Sequence, residues 1–385
     1  MPDLERLARD LDVVDALIMD LIKRRMDIAS LVGAYKMANN EKMFRPDVED
    51  ARLAAVDDHA RRIGLNPNLA RAILYDLIGE SCKLQAVQLQ SERRPDLERL
   101  EGEARRRELK ENLLRLTAAI AEKYDASYTE RHLATESYRR FEDDLLAAEI
   151  SKLEPKALAL DLGCATGAVA FRLARDFERV KGFDLSPDML KVAERKRQAM
   201  PRASGSRVSF ERVDLVEDAF PVEDGSVSLA VMNLGTASDV MDIEAVLAKI
   251  GRALAPKGRF LLSFYNADAL VYKCGFVPWR VSLAAVQNPY TDCLDVQIDG
   301  ASFSVYARLY AEAEVRAVMP AGLRIDRAST FPLLASILPE DFFKSLPDPT
   351  VIDAIDRGFL GAPTSAASGL GSAGAYLVVT GGKSA

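Results

Sequence analysis

Along the first ninety residues the apolar positions recur at helical spacing, and over the last two thirds of the chain they gather into short continuous runs. Leu4, Leu7, Leu11, Val14, Ile18, Leu21, Ile28 and Val32 alternate steps of three and four, the signature of one face of a helix. One heptad position in that seam is polar: Arg25. A helix of this length spans about 45 Å, too long to bury its seam on short neighbours, so the pattern predicts a partner chain and an intertwined homodimer. A charge within an apolar seam needs a counter-charge or an anionic ligand, and the ligand is the preferred reading for Arg25. A second helix is predicted from Pro46 to Ile63, ending at Gly64, and a third opens with Asn66 as cap and Pro67 in its first turn. Its stripe is Leu74, Leu77, Ile78 and Leu84, with Ser81 and Gln85 four apart beside it.

Residues 91–123 are charged and helix-forming, interrupted at Pro95 and Gly102, and read as a helical connector. The basic run Glu103–Lys110 has acidic neighbours and is expected to be a solvated helix face. Tyr124, Tyr128, Tyr138 and Phe141 follow, spaced to pack a helix on a core or to cover a ligand. From residue 157 the pattern changes. Buried-strand runs at 157–162, 180–183, 208–213, 228–232, 259–264, 323–330 and 375–380 alternate with helical stretches such as 243–254, predicting a doubly wound α/β domain. The segment 265–310 interrupts this alternation. It holds the single tryptophan, Trp279, with Tyr265, Tyr272, Phe276 and Tyr290, and is expected to build an acceptor pocket, while Asn288-Pro289-Tyr290 reads as a turn. Small residues fill 361–374, expected to be a mobile loop able to gate a site.

Composition narrows the classes. The chain has 385 residues, 49% apolar and 28% charged, with a formal charge of −7, which argues against a nucleic-acid partner. Cys82, Cys164, Cys274 and Cys293 are scattered, and the two histidines, His59 and His132, lie far apart, so no metal site is expected. No apolar run approaches the roughly 20 residues that span a bilayer, and no leader is legible at the N-terminus, so a cytoplasmic protein that does not bind membranes is expected.

The candidate chemistry centres on the first strand of the α/β domain. It ends in Asp161-Leu162-Gly163-Cys164-Ala165-Thr166-Gly167, glycines where the backbone must turn tightly before a helix. The second strand ends in Asp184, 21 residues after Gly163, a spacing suited to a carboxylate on ribose hydroxyls. The third ends at Asp214, and the fourth leads into Asn233-Leu234-Gly235.

Together with Leu254–Phe264, these motifs resemble the class I S-adenosylmethionine (SAM)-dependent methyltransferases over residues 124–385. The resemblance implies a Rossmann-like mixed seven-stranded sheet and SAM as cofactor. It places Asp161, Gly163 and Gly167 around the methionine moiety, Asp184 at the ribose and Asp214 with Leu215 at the adenine, with Cys164, Ala165, Leu185 and Met189 also in the cofactor site. Asn233 also borders the cofactor, and Asn233 and Gly235 are the candidates facing the methyl group.

The first ninety residues resemble the all-helical chorismate mutases. That resemblance implies a pocket of Arg25, Lys36, Glu49, Ser81 and Gln85. Two family arginines fall on Ala8 and Val48, so little or no mutase turnover is implied. The expectation is a small-molecule methyltransferase whose helical domain serves dimerisation or ligand binding. A bifunctional mutase and methyltransferase, a carboxy-SAM synthase type acting with prephenate, and a non-catalytic SAM or metabolite sensor stay open.

Overall fold

The computed structural model describes residues 3–39, 46–93, 100–125, 133–273, 285–288, 292–298, 301–337, 346–348, 350–360 and 372–384. Tyr128, His132, Cys274, Phe276, Trp279, Tyr290 and residues 361–371 lie outside them, as do the side chains of Glu49 and Tyr272.

The chain divides into two compact units, residues 1–100 with 274–286, and residues 101–273 with 287–385. In the first, α1 (Leu4–Ala38), α2 (Pro46–Ile63) and α3 (Pro67–Arg93) pack together, α3 against both others. Ala29, Ala60, Ile78 and Cys82 are buried between them. Among the described residues, little covers the seam of α1. Leu11 and Leu21 are each 64% exposed and Leu31 is 71% exposed, and Leu4, Leu7, Val14, Ile18 and Ile28 are also exposed.

The second unit is built on one twisted sheet. Its central strands, β1 (Leu158–Leu162) and β4 (Val227–Met232), are buried at every residue, which is why they read as continuous apolar runs. With β2 (Arg179–Asp184), β3 (Val208–Arg212), β5 (Leu254–Asn266), β10 (Leu323–Phe331) and β11 (Tyr376–Lys383), they give the order β10-β11-β5-β4-β1-β2-β3. The two-residue β9 (Leu309–Tyr310) pairs with β5 off this path. Strands β1 to β5 run parallel, and β11 lies antiparallel to both β5 and β10. The Rossmann-like mixed sheet expected from the sequence is thus present.

Helices cover the sheet. On one face α8 (Ile243–Ala253) buries Val246, Leu247 and Ile250 against Leu160, Phe260 and Leu262. On the other, α5 (Leu133–Ile150) buries Tyr138, Phe141, Leu145 and Leu146, with Tyr138 stacked on Tyr376 and Phe141 on Phe331. The aromatics expected to pack a helix on a core do so at these two positions. Helix α4 (Gly102–Ile120) lies on a hairpin of β7 (Cys293–Ile298) and β8 (Ala301–Tyr306), which follows β6 (Ala285–Asn288); Leu116, Phe303 and Val305 form their shared core.

Arg259 on β5 locks α5 to the sheet edge. Its Nε donates to Glu149 on α5 at 2.7 Å and its Nη1 to Asp326 on β10 at 2.6 Å, and Glu149 is buried. Arg259→Ala is expected to lower stability by about 3 kcal/mol in urea unfolding, near the low end for stripping a buried carboxylate of its partner, because Lys152 still reaches Glu149.

Candidate functional site

The site is assembled where parallel strands end at their carboxyl edge and the order reverses between β1 and β4. After β1 the chain turns through Gly163, at φ +75°, where a Cβ would stand 2.4 Å from Thr236 Cγ2. The residues after β4 therefore approach the glycine turn as closely as a missing side chain allows. Two adjoining cavities open at this crevice, one of about 340 Å3 and one of about 100 Å3. Tyr124, Gly163, Ala165, Thr236 and Asp239 line both, so they form the junction of a two-lobed cleft.

In the small lobe, Asp161 is fully buried; its Oδ2 accepts from the Ala170 N–H at 2.8 Å, at the start of α6 (Ala168–Leu173), while its Oδ1 has no hydrogen-bond partner among the described residues. Burial, reinforced by the charge of Asp184 and opposed by the Ala170 N–H, pushes the Asp161 carboxyl up to about 7. Cys164, Asn233 and Arg139 on α5 line the same lobe, and burial pushes the Cys164 thiol up. Asp125 also belongs here, accepting from Thr166 Oγ1 at 2.6 Å and pairing with Lys196.

The large lobe holds Asp184, Leu185, Met189, Asp214 and Leu215. Asp184 accepts from the N–H groups of Ala165 at 2.7 Å and Ser186 at 2.8 Å, and burial raises it despite these bonds. Ser186 caps α7 (Pro187–Ala199), whose first turn brings Met189 to the wall. Asp214 is held by the N–H groups of Val216 and Glu217, at 3.0 and 3.2 Å, and by an ion pair with Lys110. Burial would raise its carboxyl, but Lys110 and the two N–H groups outweigh that and leave it below the ordinary value.

Most residues that the sequence nominated thus converge on one cleft. Gly167 and Gly235 do not line it: Gly167 packs on Phe210 and Phe171, and the Gly235 N–H donates to buried Ser263 Oγ at 2.8 Å. Several lining residues were not foreseen, namely Lys110, Thr236, Asp239 and Arg139, whereas Tyr124 and Tyr265, offered as a ligand cover and as part of an acceptor pocket, both line the wall. The run 103–110 is not simply a solvated face. Glu103, Arg106, Arg107, Lys110, Leu113 and Thr117 recur every three or four residues and present one side of α4 to the large lobe. That spacing was the available signal.

A cleft with an unpartnered buried carboxylate oxygen at one end and an acid at a second strand's end suits a ligand carrying an ammonium and a ribose. Residues 159–258 match the methyltransferase domain family, and residues 7–86 match chorismate mutase type II. A 2-phytyl-1,4-naphtoquinone methyltransferase of Trichormus variabilis is 30% identical over 164 residues, 41% of this chain and 68% of that protein. The chain belongs to the SAM-dependent methyltransferases. A ubiquinone biosynthesis O-methyltransferase of Xanthomonas axonopodis pv. citri is 33% identical over 128 residues, which is 33% of this chain but only about half (51%) of that protein. For the helical unit, a 4-amino-4-deoxychorismate mutase of Streptomyces pristinaespiralis is 31% identical over 86 residues, 21% of this chain and 64% of that protein.

The helical unit has its own cavity of about 550 Å3. Arg25, Lys36, Ser81 and Gln85 meet there: Arg25 Nη1 donates to Ser81 Oγ and to the Leu77 carbonyl, both at 2.6 Å, and Lys36 Nζ donates to Gln85 Oε1 at 3.2 Å. Val48 lines the cavity where the family carries an arginine, and Arg52, one turn further along α2, lines it too.

Proposed function

We propose that the chain methylates a small aromatic or quinone-like metabolite at the cleft between β1 and β4. SAM supplies an electrophilic methyl on a sulfonium. In this reading Asp161 Oδ1 receives the α-ammonium of the methionine moiety, Arg139 its carboxylate, and Asp184 the ribose hydroxyls, with Asp214, Leu215 and Met189 around the adenine. The cleft residues act by alignment, holding the methyl and the incoming nucleophile in line while α4 and Tyr124 exclude water. The orphaned Oδ1 of Asp161 carries the reading, because a buried carboxylate oxygen without a partner is costly unless a ligand supplies the donor. Titration calorimetry with SAM and S-adenosylhomocysteine (SAH) tests it, followed by a screen of phenols and quinols for SAH release. Absence of binding by both ligands would overturn it; binding without turnover across acceptors would favour the sensor reading.

The helical unit is proposed to hold two copies together through α1, whose exposed leucine seam needs cover, and to bind a small carboxylate beside Arg25 and Lys36 rather than to turn over chorismate. Sedimentation of the full chain is expected to give a dimer, and Leu11→Asp with Leu21→Asp a monomer. Prephenate formation from chorismate at a rate typical of mutases would refute the second part.

A further inference from the structure

We propose that Asp239, hydrogen-bonded by Tyr265, is the base that takes the proton of the methyl acceptor, and that the acceptor accordingly carries an acidic O–H or C–H. The inference rests on the reading of the cleft as the SAM site. A molecule with ribose at Asp184 and amino acid at Asp161 must cross the junction of the two lobes with its sulfur, and among the described residues Asp239 is the junction's one carboxylate.

Local structure explains why Asp239 is there. The turn after β4 passes through Leu234 and Gly235, both at positive φ (+49° and +81°), and enters a short 3-10 turn, Thr236–Ser238, that delivers Asp239 to the wall. A Cβ on Gly235 would lie 2.3 Å from the Tyr265 ring, so the glycine lets Tyr265 close over the turn. The Tyr265 N–H in turn donates to Ser238 Oγ at 2.8 Å. The arrangement is braced from beneath: the Leu234 and Gly235 N–H groups donate to Glu142 and Ser263, which are linked through Tyr138.

Burial pushes the Asp239 carboxyl up to about 8, and the hydrogen bond from Tyr265 limits the rise. The ionisable groups sharing its lobes are Asp161 from β1, Cys164 in the turn after it, Asp184 from β2, Tyr124 and Asp125 after α4, Arg139 from α5, and Glu103, Arg106, Arg107 and Lys110 on α4, with Asp214 and Glu217 after β3 and Tyr265 on β5. The hydrogen bond that bears on the Asp239 carboxyl comes from Tyr265. A sulfonium brought to the junction favours the ionised form, so binding arms the base. In the step, the X–H proton passes to the Asp239 carboxylate as the X–C bond forms. The S–C bond breaks with its electron pair remaining on sulfur, and the half-buried carboxyl returns its proton to solvent after product leaves.

Calorimetric titration of SAM and of SAH from pH 6 to pH 9.5, on the intact protein and on Asp239→Asn, decides the matter without a known acceptor. The ratio of SAM to SAH affinity, taken relative to the same ratio in Asp239→Asn, cancels the ligands' own titrations. It is expected to rise about tenfold on ionisation of Asp239, and the midpoint of that rise reports its ionisation. Tyr265→Phe is expected to move the midpoint of the SAM-to-SAH ratio upward, whatever its effect on the affinity for either ligand alone, and it serves if Asp239→Asn does not fold. With any acceptor that yields SAH, Asp239→Asn is expected to lose the rise of turnover with pH that follows ionisation of Asp239. Both ligands binding with an unchanged ratio in Asp239→Asn would overturn this inference alone; failure of both ligands to bind the unmodified protein would overturn the SAM site itself.

Discussion

Asp161→Asn is expected to weaken SAM and SAH binding alike by about 100-fold, while making the ligand-free protein more stable above neutral pH. The loss follows from the geometry. Asparagine can still accept from the Ala170 N–H, but it puts a neutral amide where Oδ1 now stands unpartnered, and an ammonium there loses a charged hydrogen bond of about 1.5–3 kcal/mol. The gain follows from linkage. The carboxyl of Asp161 is raised from 3.8 to about 7 in the fold. Between those values the unfolded chain has released its proton and the folded chain has kept it, so the native state loses stability as pH rises through that window and keeps the penalty above it. About three pH units at roughly 1.4 kcal/mol each put the penalty on the order of 4 kcal/mol, an upper figure for a site that can admit water. Thermal melts are the measurement: the variant should melt higher than the parent at pH 8 and no higher at pH 4. Equal melting at both pH values would mean that Asp161 is not buried as a neutral acid.

The second large effect is expected at Gly163. Alanine there occupies a left-handed backbone conformation at about 1–2 kcal/mol, and its Cβ drives the Thr236 methyl toward the junction of the lobes. Gly163→Ala should therefore lower stability by about that amount and weaken SAM at least about tenfold, the binding loss coming from the displaced Thr236. Adding Thr236→Ser removes the obstructing methyl. The double variant should regain most of the binding and none of the stability, because the strained φ remains. If the serine restored nothing, the contact between the two turns would not be what shapes the crevice.

The sequence settled those features that rest on local chemistry. Strands buried on both faces must be continuous apolar runs, and a chain that turns at φ +75° against a neighbouring turn requires glycine, so β1, β4, the turn at Gly163 and the acids at Asp161, Asp184 and Asp214 were all legible. So was the mutase-like helical unit, since Arg25 is conspicuous in a seam of leucines and Ser81 and Gln85 share one face of α3. What tertiary structure alone decided is which side chains face one another across the crevice. Lys110 looks like part of a solvated run until α4 lies beside the strand ends and pairs it with Asp214. Asp239 follows a turn rather than a motif, and it becomes chemically distinct only because the Tyr265 ring fits against Gly235 and packing strips part of the water from the carboxyl. Periodicity and spacing constrain neighbours within a few residues; the desolvation and pairing that set a side chain's reactivity come from residues far apart in sequence, and only the folded sheet brings those together.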